Sequence, residues 1–136
     1  MKLELMSGQP NIRMNDHFTK LCDDNGIYVG SILQENFIIY PEYGVKHPKT
    51  LYEEIRKRVK EHIEQNKDLF ILTYSDHVFN AMRVEIRKAK FHGAKVHNIL
   101  NDGSDVIAEI DEDGHLTTWV DEIFDTWDNA LTELLT

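Results

Sequence analysis

The sequence of 136 residues lacks several features that mark secreted and membrane proteins. Cysteine occurs once, at Cys22, so the chain forms no internal disulfide and no cysteine-rich metal site. No run of about 18 apolar residues is present, which argues against a membrane-spanning helix. The opening residues, MKLELMSGQP, carry charges and no apolar core, so they do not resemble a signal peptide. These absences predict a reduced, cytoplasmic protein.

Basic residues are missing from the last quarter of the chain. Of the 24 acidic residues, 11 lie after Leu100, where there is no Lys or Arg; the other 13 share the first 100 residues with all 15 basic ones. An acidic segment of this kind repels phosphate backbones, which argues against nucleic acid as its partner. A solvated acidic face explains the charge most simply, and a docking surface for a basic partner is the alternative.

The middle of the chain alternates between strand-like and helix-like patterns. Apolar residues recur every four positions from Leu51 to Ile63, which predicts an amphipathic helix. The run DLFILTY is apolar on consecutive positions, as expected for a strand of a parallel sheet covered on both faces. The predicted elements are strands at 27–33, 36–41 and 68–74, a helix that begins at Pro48 or Thr50, and a helix capped by Ser75 or Asp76.

The two ends of the chain differ from this middle part. Residues 1–26 are the least regular, with a short helix predicted from Ile12 to Leu21. The end of the chain reads as a small β-meander and a final helix, with strands at 94–100, 105–111 and 115–119. The fold class is therefore predicted as α/β, a layered fold with a partly parallel sheet. A single domain is expected, in three parts: irregular 1–35, a middle part 36–100, and an acidic strand–turn–helix element 101–136.

The segment FILTYSDHVFNAMR, from Phe70 to Arg83, resembles ABC-type P-loop ATPases of the RecF, SMC and OLD-like group, which read IIETHSDHFLNxIR at this place. In that family the residue after the first Thr is a histidine that contacts the γ-phosphate of the nucleotide. In this chain the position holds Tyr74. The positions that match are Thr73, Ser75, Asp76, His77, Asn80 and Arg83.

The upstream segment FIIYPEYGVKHP, at 37–48, is similar to the family's Walker B strand and following loop, LLIENPEAHLHP. The order of strand, Pro-Glu, loop, His-Pro and helix is kept. With Pro41-Glu42 aligned to the family's Pro-Glu, the metal-binding and catalytic acids fall on Ile39 and Tyr40. An alignment anchored on His47 and the proline after it leaves the acidic pair no better.

The downstream segment AEIDEDGHLTTWVDEIFDTWDNALTELL, at 108–135, resembles the small C-terminal domain of one subgroup of predicted ATPases in this class. The usual Trp-Pro and Gly-Phe-Phe elements are altered. The whole resemblance covers about residues 36–136 and implies a partial P-loop-NTPase-like fold. The matching positions in this last segment are Ile110, Gly114, Trp119, Phe124 and Asp125.

The loop on which ATP chemistry depends is missing from this sequence. A P-loop reads Gly-x-x-x-x-Gly-Lys-Ser/Thr, because its amide groups and lysine cradle the phosphates and its hydroxyl holds Mg²⁺. None of the seven glycines stands in such a pattern. The tetrapeptide MSGQ at 6–9 is similar to the ABC signature SGGQ, but it is read here as an ordinary turn before Pro10. Without Walker A, the Walker B acids and the switch histidine, the isolated chain is not expected to hydrolyse ATP.

Polar residues in the first two segments that resemble the ATPases are candidates for a different chemistry. Glu42, His47, Asp76 and His77 could form a cluster that binds a divalent metal or transfers protons. Asp76 is equally well explained as the N-cap of a helix. The seven histidines show no His-x-x-x-His or His-Glu-x-x-His pairing. No catalytic residue, metal or cofactor is therefore assigned from the sequence.

The resemblance implies a non-catalytic, ATPase-like protein that binds, caps or antagonises a partner ATPase. One source of such a protein is a phage, in which it would act as a decoy against an ATPase of an anti-phage defence system. A split ATPase completed by a partner's Walker A is the alternative, and a metal-dependent phosphohydrolase is a third. A homodimer or a complex with another protein is expected. The sequence identifies neither the partner nor whether contact activates or inhibits it. The candidates for the interaction are Glu42, His47, Tyr74, Ser75, Asp76, His77, Asn80 and Arg83.

Overall fold

The computed structural model describes residues 1–8, 14–29, 36–39, 48–73, 76–100 and 102–117. Within these ranges the chain alternates between strands and helices and ends in an antiparallel hairpin. The elements in chain order are β1 (Leu3–Gly8), α1 (Met14–Asp24), β2 (Phe37–Ile39), α2 (Pro48–Gln65), β3 (Leu69–Leu72), α3 (Asp76–Ala89), β4 (Ala94–Ile99) and β5 (Asp105–Ile110).

The strands form one five-stranded sheet in the order β2-β3-β1-β4-β5. The first four strands of this order run parallel, and β5 returns antiparallel to β4. The protein is thus an α/β protein with a mostly parallel sheet, which confirms the predicted fold class. Parallel neighbours need crossover connections, and the helices supply them.

Helices cover both faces of the sheet, and the alternation of side chains along each strand divides the core in two. Leu3 and Leu5 of β1 lie in the cluster that contains the apolar residues of α2 and α3. Met6, on the opposite face, packs with Met14 and Phe18 of α1. Strands buried on both sides explain why DLFILTY is apolar without interruption.

The α2 and α3 helices lie side by side on their face of the sheet. The predicted four-residue stripe of α2 is confirmed, since Leu51, Ile55 and Val59 are all buried. An ion pair joins the two helices on their outer side, where Arg56 Nε donates to Glu85 Oε1 at 2.8 Å. A groove of about 570 Å³ lies between these helices. Three glutamates and four basic residues line the groove, so its charge favours neither an anionic nor a cationic ligand.

The N-terminal region differs most from expectation. Residues 1–35 were predicted to be irregular, yet β1 is the central strand and is hydrogen-bonded to β3 on one side and β4 on the other. The turn predicted at Met6–Gln9 is also wrong for its first three residues, which end β1. The short helix is confirmed as α1. The amphipathic pattern of α1 was readable from the sequence, whereas β1 reads LELMSG, in which a charged residue and the final Ser-Gly resembled a polar terminus.

Two predicted strands are absent where the structure describes them. Residues 27–29, the start of the stretch IYVGSIL, are not in a strand, and Tyr28 is 74% exposed. The strand predicted at 115–119 is reduced to one bridge, between Leu116 and Ile110, in its described part. The predicted C-terminal helix lies outside the described residues. Among those described, no helix is long and apolar enough to cross a membrane.

Candidate functional site

At the carboxyl edge of the sheet, the connections that follow β1 and β3 diverge to opposite faces. These strands are parallel neighbours, but the chain leaves β1 towards α1 on one face and leaves β3 towards α3 on the other. Such a divergence is where α/β sheets bind their ligands. The candidate residues predicted from the sequence follow β2 and β3. In the structure, the end of β1 lies at the same edge of the sheet.

Three buried polar side chains follow one another across this edge, one from each of three adjacent strands. Thr73, Ser7 and Asn98 are 1%, 3% and 0% exposed. The Thr73 amide donates to the Met6 carbonyl at 3.1 Å, and Ser7 is the register partner of Asn98. Polar residues thus replace the apolar layer at the end of the sheet.

The three side chains lie on the same face of the sheet. Each stands two residues after an apolar member of the α2–α3 cluster: Ile71 before Thr73, Leu5 before Ser7, and Val96 before Asn98. Because strand side chains alternate with a period of two, the polar row continues the face that α3 covers. The carboxyl edge therefore has a polar wall on the face of the sheet that α2 and α3 cover.

Two carboxamides beside this wall are incompletely hydrogen-bonded. Neither Nδ2 nor Oδ1 of Asn98 has a partner in the described part of the chain, and the same holds for Oδ1 of Asn80. A buried polar atom without a partner costs about 1–3 kcal/mol. The sequence offered one signal for Asn98, an Asn inside the apolar strand AKVHNIL, which the strand assignment did not use.

Removal of the Asn98 carboxamide is expected to be inexpensive. Asn98→Ala loses some packing but also removes two unpaired polar atoms, so the free energy of unfolding should fall by less than about 1 kcal/mol. The matched control is Val96→Ala on the same strand and face, where loss of two buried methyl groups should cost about 2 kcal/mol. Urea denaturation of both variants measures the difference. A larger loss for Asn98→Ala would show that the carboxamide is hydrogen-bonded in solution.

The helix α3 carries the described part of the motif SDHxxNxxR. Asp76 is the first residue of α3, and His77 lies exposed in its first turn. Asn80 is half-buried, one turn further along the helix. Glu42, His47, Tyr74 and Ser75 lie outside the described residues, as does the side chain of Asp76. The structure therefore brings His77 and Asn80 to the carboxyl edge and leaves the other side of the predicted cluster untested.

Arg83 has a packing role within the described fold. Its side chain is 2% exposed, and its Nε donates to the carbonyl of Gly114 at 2.6 Å. The guanidinium also lies 5.2 Å from the ring centre of Phe79. Arg83 thus joins α3 to the turn after β5 instead of facing a partner. Two positions of the ATPase resemblance that are 31 residues apart in the chain are in contact.

Comparisons with known proteins give one match. A protein-family model described as "Protein of unknown function (DUF3696)" matches residues 98–134. No curated protein and no solved structure matches the chain. The matched segment begins at Asn98 and includes β5 and the Gly114 turn, so it covers the part of the chain that resembles the small C-terminal domain of predicted ATPases. Because that family has no known function, the match assigns none to this chain.

Metal and nucleophile chemistry find little support in the described residues. Within the described ranges, no group of three or more His, Cys, Asp or Glu side chains is placed to hold a metal ion. Cys22 is fully buried in α1, and burial, together with the neighbouring Asp23 carboxylate, raises the pKa of its thiol to about 11. The thiolate is the reactive form, so Cys22 is an inert packing residue at neutral pH.

Proposed function

We propose that this chain is a non-catalytic, ATPase-like interaction protein that binds a partner ATPase through the carboxyl edge of its sheet and caps or antagonises it. One observation carries the proposal. In the chain, the central strand β1 is followed directly by the helix α1, the order of elements in which a P-loop occurs. The sequence of this β1–α1 unit does not follow the P-loop pattern.

The comparison of this unit with a P-loop is specific. Counted from Gly8 as the first glycine, the pattern requires Gly, Lys and Ser or Thr at positions 13 to 15, where the chain has Arg13, Met14 and Asn15. Met14 is buried against β1 and cannot replace a lysine that reaches phosphate. The central unit thus keeps the architecture of a nucleotide-binding half without its phosphate ligands.

The split-ATPase alternative is disfavoured by the pairing of β3. This strand leads into the ATPase-like motif, and it is already paired with β2 on one side and β1 on the other. A strand that carries Walker A from a partner chain would find no open edge beside it. A protein that meets its partner by surface contact needs no such edge.

Calorimetry of the full chain with Mg-ATP tests the non-catalytic part of the proposal. We expect no saturable binding at concentrations up to about 1 mM, because the sequence lacks the P-loop whose amide groups and lysine bind the phosphates. No ATP hydrolysis above a protein-free control is expected either. Saturable binding of Mg-ATP, or hydrolysis that depends on the chain, would contradict this part.

The interaction part is tested by affinity purification of the tagged chain from the organism that encodes it. We expect an ABC-type ATPase to co-purify, and its ATPase rate to change in a saturable way when purified chain is added. His77→Ala, at the carboxyl edge, should weaken this effect. His92→Ala is the matched control, since His92 is an exposed histidine before β4 at the opposite edge. Equal effects of the two variants would argue against the carboxyl edge as the docking site.

A further inference from the structure

A charged cluster on the α1 face of the sheet joins three strands through one imidazole ring. His97 of β4 is 5% exposed, and its Nε2 lies 2.6 Å from Oε1 of Glu4 on β1. Its Nδ1 lies 2.8 Å from Oδ2 of Asp105 on β5. The ring therefore connects the central strand of the sheet to its antiparallel edge.

The geometry fits a charged ring. A neutral imidazole has one N–H and one lone pair, so it can donate to only one carboxylate while its other nitrogen meets the second carboxylate's lone pairs. With both carboxylates ionised, both contacts are favourable when His97 is the imidazolium and both ring nitrogens donate. Glu4 is only 8% exposed, and a buried carboxylate needs a charged partner of this kind.

Among the residues that the structure describes, the charged groups that contact the ring are the carboxylates of Glu4 and Asp105. The neighbouring strands face the ring with Glu4 and Asp105, and α1 contributes Met14 and Phe18 to the core on this side. Lys95 lies on the same strand two residues earlier and is exposed to solvent. Burial lowers the pKa of His97, but the hydrogen bonds and charges of the two carboxylates outweigh it, and the net shift is upward.

We propose that His97 is a proton-controlled latch that holds β5 against the centre of the sheet. When the ring loses its proton, one of the two hydrogen bonds becomes a contact between acceptors. Asp105 is the carboxylate that moves away, because its side chain is 36% exposed and water can solvate it, whereas that of Glu4 is 10% exposed. Opening of β5 then leaves β4 as an unpaired edge strand.

The direction of the pH dependence follows from the raised pKa. Stabilisation by the latch is fully present below the ordinary His pKa of 6.5 and is lost as the pH rises through the pKa of the folded protein. The latch is therefore closed at mildly acidic pH and opens towards alkaline pH. This behaviour concerns the edge opposite β2 and does not depend on the proposed ATPase partner.

Hydrogen exchange of the full chain between about pH 6 and about pH 9 tests the latch. Exchange rates are divided by the intrinsic rate at each pH, so that only structural opening remains. We expect the protection of the β5 amides to fall at least about tenfold over this range, while β1 and β3 change much less. Proton NMR of the ring should show His97 titrating above the ordinary histidine pKa of 6.5.

Two variants separate the latch from general pH effects. Asp105→Asn keeps the side-chain shape and removes the charge, so the pH dependence of β5 protection should shrink to less than about threefold. Glu112→Gln removes a carboxylate that lies 3.0 Å from His92 in an exposed pair and should leave that dependence intact. Constant β5 protection in the wild type, or full pH dependence in Asp105→Asn, would overturn the proposal. So would titration of His97 at or below the ordinary histidine pKa of 6.5.

Discussion

Gly114→Ala is expected to lower the free energy of unfolding by about 2–5 kcal/mol. Gly114 has φ +82°, a left-handed conformation that costs an L-residue about 1–2 kcal/mol. A Cβ at this position would also lie 2.7 Å from the Arg83 carbonyl oxygen, so either the turn or α3 must move. Overpacking of this kind adds about 1–3 kcal/mol. Urea denaturation at neutral pH measures the loss.

Gly103→Ala is the matched control for this substitution. Gly103 has φ +86° in the β4–β5 turn, but nothing lies within 4 Å of the position of its Cβ. It should therefore show the conformational cost alone, about 1–2 kcal/mol. Equal losses for the two variants would mean that the turn after β5 does not press against α3 in solution.

Arg83→Ala is expected to cost about 3–5 kcal/mol. The substitution removes a large, fully buried side chain and leaves the Gly114 carbonyl without the donor that Nε provides. Both effects are destabilising, the first through a cavity and the second through an unpaired acceptor. The same denaturation experiment measures the loss of stability. In hydrogen exchange, the amides of the β5 hairpin should lose protection before those in the core of the sheet do.

Two further variants separate the causes. Arg87→Ala removes the same side chain one turn later on α3, where it is exposed, and should change stability by less than about 0.5 kcal/mol. Arg83→Met fills most of the volume without the hydrogen bond, so it should lose about 1–3 kcal/mol. If Arg83→Met were as stable as the wild type, the bond to Gly114 would contribute nothing and Arg83 would act by volume alone.

The middle of the fold was predictable because its residues carry strong periodic signals. The stripe from Leu51 to Val59, the apolar run of β3 and the Asp-Gly turn at Gly114 each depend on local chemistry that the sequence displays. The hairpin of β4 and β5 followed from its Gly103 turn in the same way. Local sequence patterns of this kind predict the structure correctly because the tertiary fold favours the same secondary structure.

The candidate site was less predictable because its parts come from distant segments. Ser7 and Asn98 lie side by side only because β1 and β4 pair in the sheet, and no local sequence pattern predicts that pairing. The partnership of Glu4 with His97 spans 93 residues and is equally invisible to periodicity. Arg83 was read as part of a motif, and only the structure shows that its partner is the Gly114 turn.

The central place of β1 has a consequence for the order in which the protein assembles. Leu3 pairs with Leu69, and Gly8 pairs with Ile99, so β1 is synthesised long before the strands with which it pairs. Closure of such long loops precedes any gain from the contacts, which slows folding. During synthesis the apolar residues of β1 stay exposed until β3 and β4 have both emerged. The nascent chain is therefore most prone to aggregation over the stretch in which α1 and α2 are made.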